Sequence, residues 1–315
     1  VTMYASLLMM GISTSIIGIL PPAASAGVGV VIVLQLMRLA QCFGRGGTWG
    51  GGILMAYENV PENKRSFYAA IPQIGLPIGF GLSSILIAVP TLLLPEDIFF
   101  TWGWRIPFLA AIILTVIVIR QKGEMMETED YKKAQAKLEA EEAEGKKHKV
   151  GFIPMVKGYW KTLLLGCGTR WVDGTFYNIF IVWILSYCIN WLGMPLIQTY
   201  IITIIACIFK IPFTLFGGWC AQKLGNTRTL VIGALASAVL SIPTLKVIEL
   251  SKGNLAITII GIVLGWSIAY NLIWAVISSL WSSYFETEVR YSGISFVYHV
   301  PSFLVAGMVP TICTL

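Results

Sequence analysis

The sequence predicts an all-α, polytopic membrane protein, and three observations carry that prediction. Only 12% of the 315 residues are charged, about half the ~25% usual in soluble domains. Mean hydropathy is +0.77 and 56% of the residues are hydrophobic. The apolar residues fall into runs long enough to cross a bilayer, which takes about 20 residues. A water-soluble domain has nowhere to hide that much apolar surface. The net charge of +6 is not a nucleic-acid footprint, because the cations sit at the ends of apolar runs, where they set topology.

Nine spans are expected, at 2–20, 28–56, 66–92, 99–120, 158–188, 195–221, 229–248, 255–282 and 291–314. Short polar connections join them, among them Pro21-Pro22, Pro61-Glu62-Asn63 and Pro95-Glu96-Asp97. The connection from Lys122 to Lys149 differs, with eight acidic and seven basic residues. Glu129/Lys133 and Lys137/Glu141 have the i,i+4 spacing of a solvated helix. Lysine and arginine mark alternate connections: Lys64 and Arg65, the charged linker with Arg120, Lys157 and Lys161, then Lys223 and Arg228, then Arg290. These are expected on the cytoplasmic side of the plasma membrane. Glu96, Asp97, Lys246, Glu249 and Lys252 fall on the other.

The six cysteines, Cys42, Cys167, Cys188, Cys207, Cys220 and Cys313, lie in or beside apolar runs with no CxxC pair and no Cys/His cluster. They read as small buried residues, and no metal or cofactor is expected. The chain starts at Val1 with no basic stretch before its first apolar run, so no signal peptide is expected.

A faint repeat appears on shifting the chain by 225 residues: Trp49 falls on Trp274 and Arg65 on Arg290, each arginine opening a span after a polar turn. Parallel repeats of this kind build proteins of two similar helical halves. With that period the parent would have twelve spans, this chain holding the third to the eleventh, truncated at both ends. A chain so truncated is not expected to transport by itself. The expected domains are an N-terminal bundle at 1–120, a charged cytoplasmic linker at 121–157 and a C-terminal bundle at 158–315.

Four strings then carry a resemblance. RLAQCFGRGGTWGGG (38–52) looks like R-x-x-Q-G-x-x-x-G-G-E-x-G-G. The turn Glu58–Arg65 follows it. Trp102-Gly103-Trp104-Arg105-Ile106-Pro107-Phe108 matches W-G-W-R-I-P-F, and Val289-Arg290-Tyr291-Ser292-Gly293 matches V-R-Y-[ST]-G. Together they resemble the metabolite:proton symporter branch of the major facilitator superfamily, with proline/betaine, dicarboxylate and shikimate transporters among its members. The resemblance implies a major facilitator fold of two pseudo-symmetric helical bundles. The chain departs from the pattern where the signature glutamate is Thr48, a neutral position is Arg45, a glycine is Cys42, and Ser283 replaces a frequent glutamate. Gly218–Arg228 looks like a degraded G-x-x-x-D-x-x-G-R-R gating motif, with Gln222 at the acidic position and Asn226-Thr227 in place of the arginine pair. A weakened latch is the expectation.

Ionisable groups at bilayer depth are costly and usually face a cavity or a partner. Arg38, Gln41, Arg45, Thr48 and Gly52 share one face of the second span by spacing. For Arg38 the resemblance implies a structural or proton-relay role, against a cation that snorkels to the headgroups. Arg45 offers a fork suited to a carboxylate. The glycines around them read as helix packing through Gly46/Gly50 and Gly47/Gly51, not as a nucleotide loop. Of the sixteen acids, Asp173 alone falls within an expected span. Arg170 lies three residues before it, so either a proton- or substrate-handling carboxylate or a static intrahelical pair fits. Trp171, Tyr177, Asn178, Tyr270, Asn271 and Trp274 are candidate cavity residues, with simple packing as the alternative. Gln73, Lys210 and His299 are further intramembrane polar groups. Glu58, Arg65, Gly218, Gln222, Arg228 and Arg290 are the candidate gating residues.

No nucleophile–base pair, metal set or phosphate loop stands out, so an enzyme is not expected. The expected function is secondary transport of a small organic metabolite, an organic anion or zwitterion, with protons. The partners are that solute, protons and the lipid bilayer, with no nucleic acid, and the chain is expected to be a monomer. A proton-independent uniporter, or a sensor built on a transporter scaffold, are the alternatives.

Overall fold

The computed structural model describes residues 2–22, 27–120 and 152–314, all helix and short connections. The charged stretch 121–151, with its predicted surface helix, lies outside the described residues. Each expected span is helical. The first is Thr2–Ile19, the second Val28–Glu58, the sixth Leu196–Leu224, the seventh Asn226–Leu250 and the ninth Thr287–Thr314. Among the described residues, eight helical stretches are long and apolar enough to cross a membrane, and Met3–Ile19 is a shorter apolar helix.

Four spans are interrupted where a smooth period was expected. The third breaks at Ile71-Pro72 into Arg65–Ala70, a tight turn Pro72–Ile74, and Gly75–Leu93. Proline lacks the N–H that a continuous helix needs. The fourth is Glu96–Thr101, a turn Gly103–Arg105, then Ile106–Arg120. The fifth runs Phe152–Tyr177, loosens into a π turn at Asn178–Trp183, and resumes as Ile184–Asn190. The eighth runs Leu255–Ile262, a π turn Val263–Ala269, then Asn271–Tyr284.

The described residues group into two compact units. The first holds residues 2–52 and 83–120, the second 53–82 and 152–314. In the first unit, Gly44 lets the second span approach the first closely: a Cβ there would lie 2.7 Å from the Ser6 carbonyl oxygen. Gly44, Gly47 and Gly50 are buried, and Arg38 and Arg45 lie on the other side of the helix, exposed. Arg105, of the W-G-W-R-I-P-F string, ties the fourth span to the end of the first. Its Nη2 donates to the Leu20 carbonyl at 2.8 Å, its Nη1 donates to the Thr101 carbonyl, and it stacks 4.5 Å from the Trp104 ring centre.

In the second unit the eighth span is the core. Its most apolar window is 61% buried, against 11% for the second span. Ile273, Trp274, Ala275, Val276, Ile277, Leu280 and Trp281 are all buried. The sixth and seventh spans pack on one side of it through glycines. A Cβ on Gly217 would lie 2.6 Å from that of Ala275, and one on Gly233 would lie 2.8 Å from that of Leu272. The fifth and ninth spans pack together, with Gly166 against Val297 and Gly174 against Val305.

Candidate functional site

A polar cluster lies inside this core. Asp173 has no exposed surface and Arg170 is 8% exposed. One turn of helix separates them, so the carboxylate accepts from Arg170 Nη1 through Oδ2. Its other oxygen accepts from the Tyr270 hydroxyl at 2.6 Å. Arg170 Nε donates to Ser302 Oγ at 2.9 Å, and the guanidinium stacks 4.1 Å from the Tyr298 ring centre. Both ninth-span residues lie one turn apart and pin the arginine from the far side.

Across Tyr270 lies Lys210, fully buried on the sixth span. Its Nζ is 4.4 Å from the Tyr270 ring centre and 4.7 Å from that of Trp266. It donates to Asn271 Oδ1 at 3.0 Å and to the Trp266 carbonyl at 3.5 Å. Asn271 Nδ2 donates in return to the Lys210 carbonyl at 2.8 Å and to Thr214 Oγ1 at 3.0 Å. Adjacent residues on a helix point about 100° apart. Tyr270 reaches Asp173 with its hydroxyl and Lys210 with its ring, Asn271 bonds Lys210, and together they join the two charges into one network. The arrangement can hold a charge, exchange a proton or meet a charged solute, but it carries no nucleophile–base pair.

The remaining candidates divide by place. Trp274 Nε1 donates to the Gln73 carbonyl at 3.2 Å, and Gln73 Nε2 donates to the Trp274 carbonyl at 2.9 Å. This reciprocal pair binds the third span to the eighth. Asn178 donates to the carbonyl of Gly174 on its own helix at 2.8 Å. Tyr177 meets Phe80 edge-on, and His299 meets Tyr298 edge-on. In the first unit Arg38 Nη1 donates to Gln41 Oε1 at 3.4 Å, and Gln41 Nε2 to Thr14 Oγ1 at 2.6 Å. Thr48 Oγ1 donates to the Arg45 carbonyl at 3.2 Å. The Arg45 guanidinium is exposed and makes no ion pair among the described residues.

A second group surrounds the turn after the second span. Glu58, expected in or near a loop, is the last residue of the helix and its side chain is 4% exposed. It accepts from Arg290 Nη1 at 2.7 Å. Arg290 and Arg65 both stack on Tyr57, at 5.7 and 5.2 Å from its ring centre. Arg65 also pairs with Glu62 at 3.6 Å. A Cβ on Gly218 would lie 2.6 Å from that of Ala70. Gln222 Nε2 donates to the Asn63 carbonyl, and its Oε1 accepts from the Phe67 N–H at 3.3 Å. A carboxylate at 222 offers only the second of these bonds. Asn226 Oδ1 accepts from Ser66 at 2.9 Å and Ser279 at 3.0 Å. Arg228 is exposed and stays outside the group.

Tyr298, Ser302, Thr214 and Asn226 escaped sequence reasoning as site residues. Hydroxyls and amides are common in helices, and only Thr214, four residues after Lys210, carried a spacing signal.

Helices long and apolar enough to cross a membrane, with a buried ionic cluster among those of the second unit, define a polytopic membrane protein. Residues 2–308 match the model of the Major Facilitator Superfamily, and the chain belongs to that family. It is 31% identical to the inner membrane metabolite transport protein YhjE of Escherichia coli K12, over 99% of this chain and 70% of that one. It is 28% identical to the shikimate transporter of the same organism, over 96% of this chain and 68% of that protein. It is 28% identical to the proline/betaine transporter of Salmonella typhimurium, over 98% of this chain but 61% of that one. Among solved structures, the proton:xylose symporter XylE superposes with a TM-score of 0.75 over 99% of this chain and 73% of that one. At 15% identity, that likeness shows the major facilitator fold alone.

Proposed function

We propose that the whole protein carries a small organic metabolite, an organic anion or zwitterion, across the plasma membrane together with protons, by alternating access. The observation behind this is the fully buried Asp173, held by Arg170 and Tyr270 beside the buried Lys210. Buried ionisable groups in a span mark ion or substrate pathways. The proposed halves are residues 1–120 and 158–315, with 121–157 as a cytoplasmic linker, rocking about a midplane site as repeat-built transporters do. The reading is of a monomer. Relatives named for shikimate and for proline/betaine support a small solute bearing a carboxylate.

In this reading Asp173, Arg170, Asn271 and Trp274 belong to the solute or proton path. Arg38, Gln41, Arg45, Thr48, Tyr177 and Asn178 line it. Glu58, Arg65, Gly218, Gln222, Arg228 and Arg290 control the gate. Proteoliposome uptake of labelled shikimate and proline, with and without an inward proton gradient, tests it. Asp173→Asn should lower gradient-driven uptake at least about tenfold, the equivalent of one lost charged hydrogen bond. Unchanged uptake in that variant contradicts the assignment. A uniporter is the second reading, because Thr48 stands where the resembled motif has its glutamate. It gives uptake indifferent to the gradient.

A further inference from the structure

The buried cluster carries one more cation than it has acids to match. Arg170 and Asp173 balance each other, with Tyr270 on the second carboxylate oxygen. Lys210 has no carboxylate within ion-pair distance among the described residues. Its partners are an amide oxygen, a carbonyl and two aromatic faces, all neutral. A buried ammonium with neutral partners is costly, and two changes relieve it: loss of the proton to water, or arrival of an anion. A second feature favours the anion. The Trp266 side chain, fully buried against Lys210, has an Nε1–H with no acceptor, a donor suited to a carboxylate oxygen.

We propose that Lys210 is where proton and solute are exchanged together: its amine gains a proton as a monocarboxylate binds and loses it as the carboxylate departs. This rests on the reading of the chain as a carrier of organic acids. The neutral amine, one proton and RCOO⁻ give an ammonium–carboxylate pair. One N–H bond forms, and no charge is added to the site. On the opposite side that bond breaks, and proton and carboxylate enter water together. The titratable and charged neighbours are Asp173 and Arg170 on the fifth span, Tyr270 on the eighth and Cys207 on the sixth itself. The third span contributes the neutral Gln73. On the seventh, Lys246 and Glu249 pair with each other at an exposed end.

The experiment compares the wild type, Lys210→Arg and Lys210→Met in proteoliposomes, using labelled monocarboxylates headed by shikimate. Wild-type uptake should rise about tenfold with an inward proton gradient of one pH unit. Lys210→Arg stays charged at every accessible pH, so the solute counterflow it retains should no longer depend on the proton gradient. A merely structural lysine would not separate the two. Lys210→Met should lose both. Independently of any variant, adding the same acids to weakly buffered, detergent-solubilised wild type should raise the pH by one proton per molecule bound. Gradient-driven uptake that survives in Lys210→Arg, or binding without proton uptake, overturns the Lys210 assignment and leaves the organic-acid reading standing. A wild type that takes up none of the acids overturns that reading and the assignment with it.

Discussion

At the scale of single residues, burial decides which charges matter. Glu58 and Arg290 have side chains 4% and 12% exposed and lie 2.7 Å apart. Removing Glu58 takes from the buried Arg290 the carboxylate it donates to, at a cost of about 3 kcal/mol. Glu58→Ala or Arg290→Ala should therefore lower the melting temperature in detergent by several degrees. The double variant should be no worse than the poorer single, and additive losses would show the pair to be uncoupled. Gln222 belongs to the same region. Its two bonds, to the Asn63 carbonyl and the Phe67 N–H, turn an apparent defect of the gating motif into a two-way contact. Gln222→Glu should cost about 1 kcal/mol through the lost donor, read as a fall in melting temperature. An unchanged or higher value would restore the weakened-latch expectation.

At the scale of elements, glycines and π turns set the geometry. Gly218 brings the sixth span against Arg65–Ala70, where an added methyl would lie 2.6 Å from the Ala70 Cβ. Gly218→Ala should cost about 1–3 kcal/mol as overpacking, and Ala70→Gly should recover part of it; no recovery would place the strain elsewhere. The π turns at 178–183 and 263–269 follow Asp173 and precede Tyr270. Each shifts the helical register by about one residue, and such turns are frequent at functional sites. They also touch: a Cβ on Gly265 would collide with the Phe180 ring. A regular 3.6-residue period cannot reveal such turns, so the sequence places Asp173 and Tyr270 on their spans without showing that they meet.

At the scale of the whole molecule, hydropathy and the strings at 38–52, 102–108 and 289–293 were enough to read the spans and the family. Transmembrane runs must satisfy their backbone within the helix, so length and composition suffice to find them. The Arg170–Asp173 pair was legible for a related reason, because i,i+3 contacts are local. The Lys210–Asn271–Tyr270 arrangement was not, since it depends on how the sixth and eighth spans pack. The Glu58–Arg290 bond was not legible either, since the two residues lie far apart along the chain. The central claim, proton-linked carriage of a small organic acid, is open to one direct measurement. Proteoliposomes in lightly buffered medium are given shikimate or a related monocarboxylate, with no imposed gradient, and the external pH is followed. The account predicts an immediate alkalinisation that tracks solute uptake and is lost in Asp173→Asn. Uptake of the acid with the external pH unmoved would contradict it.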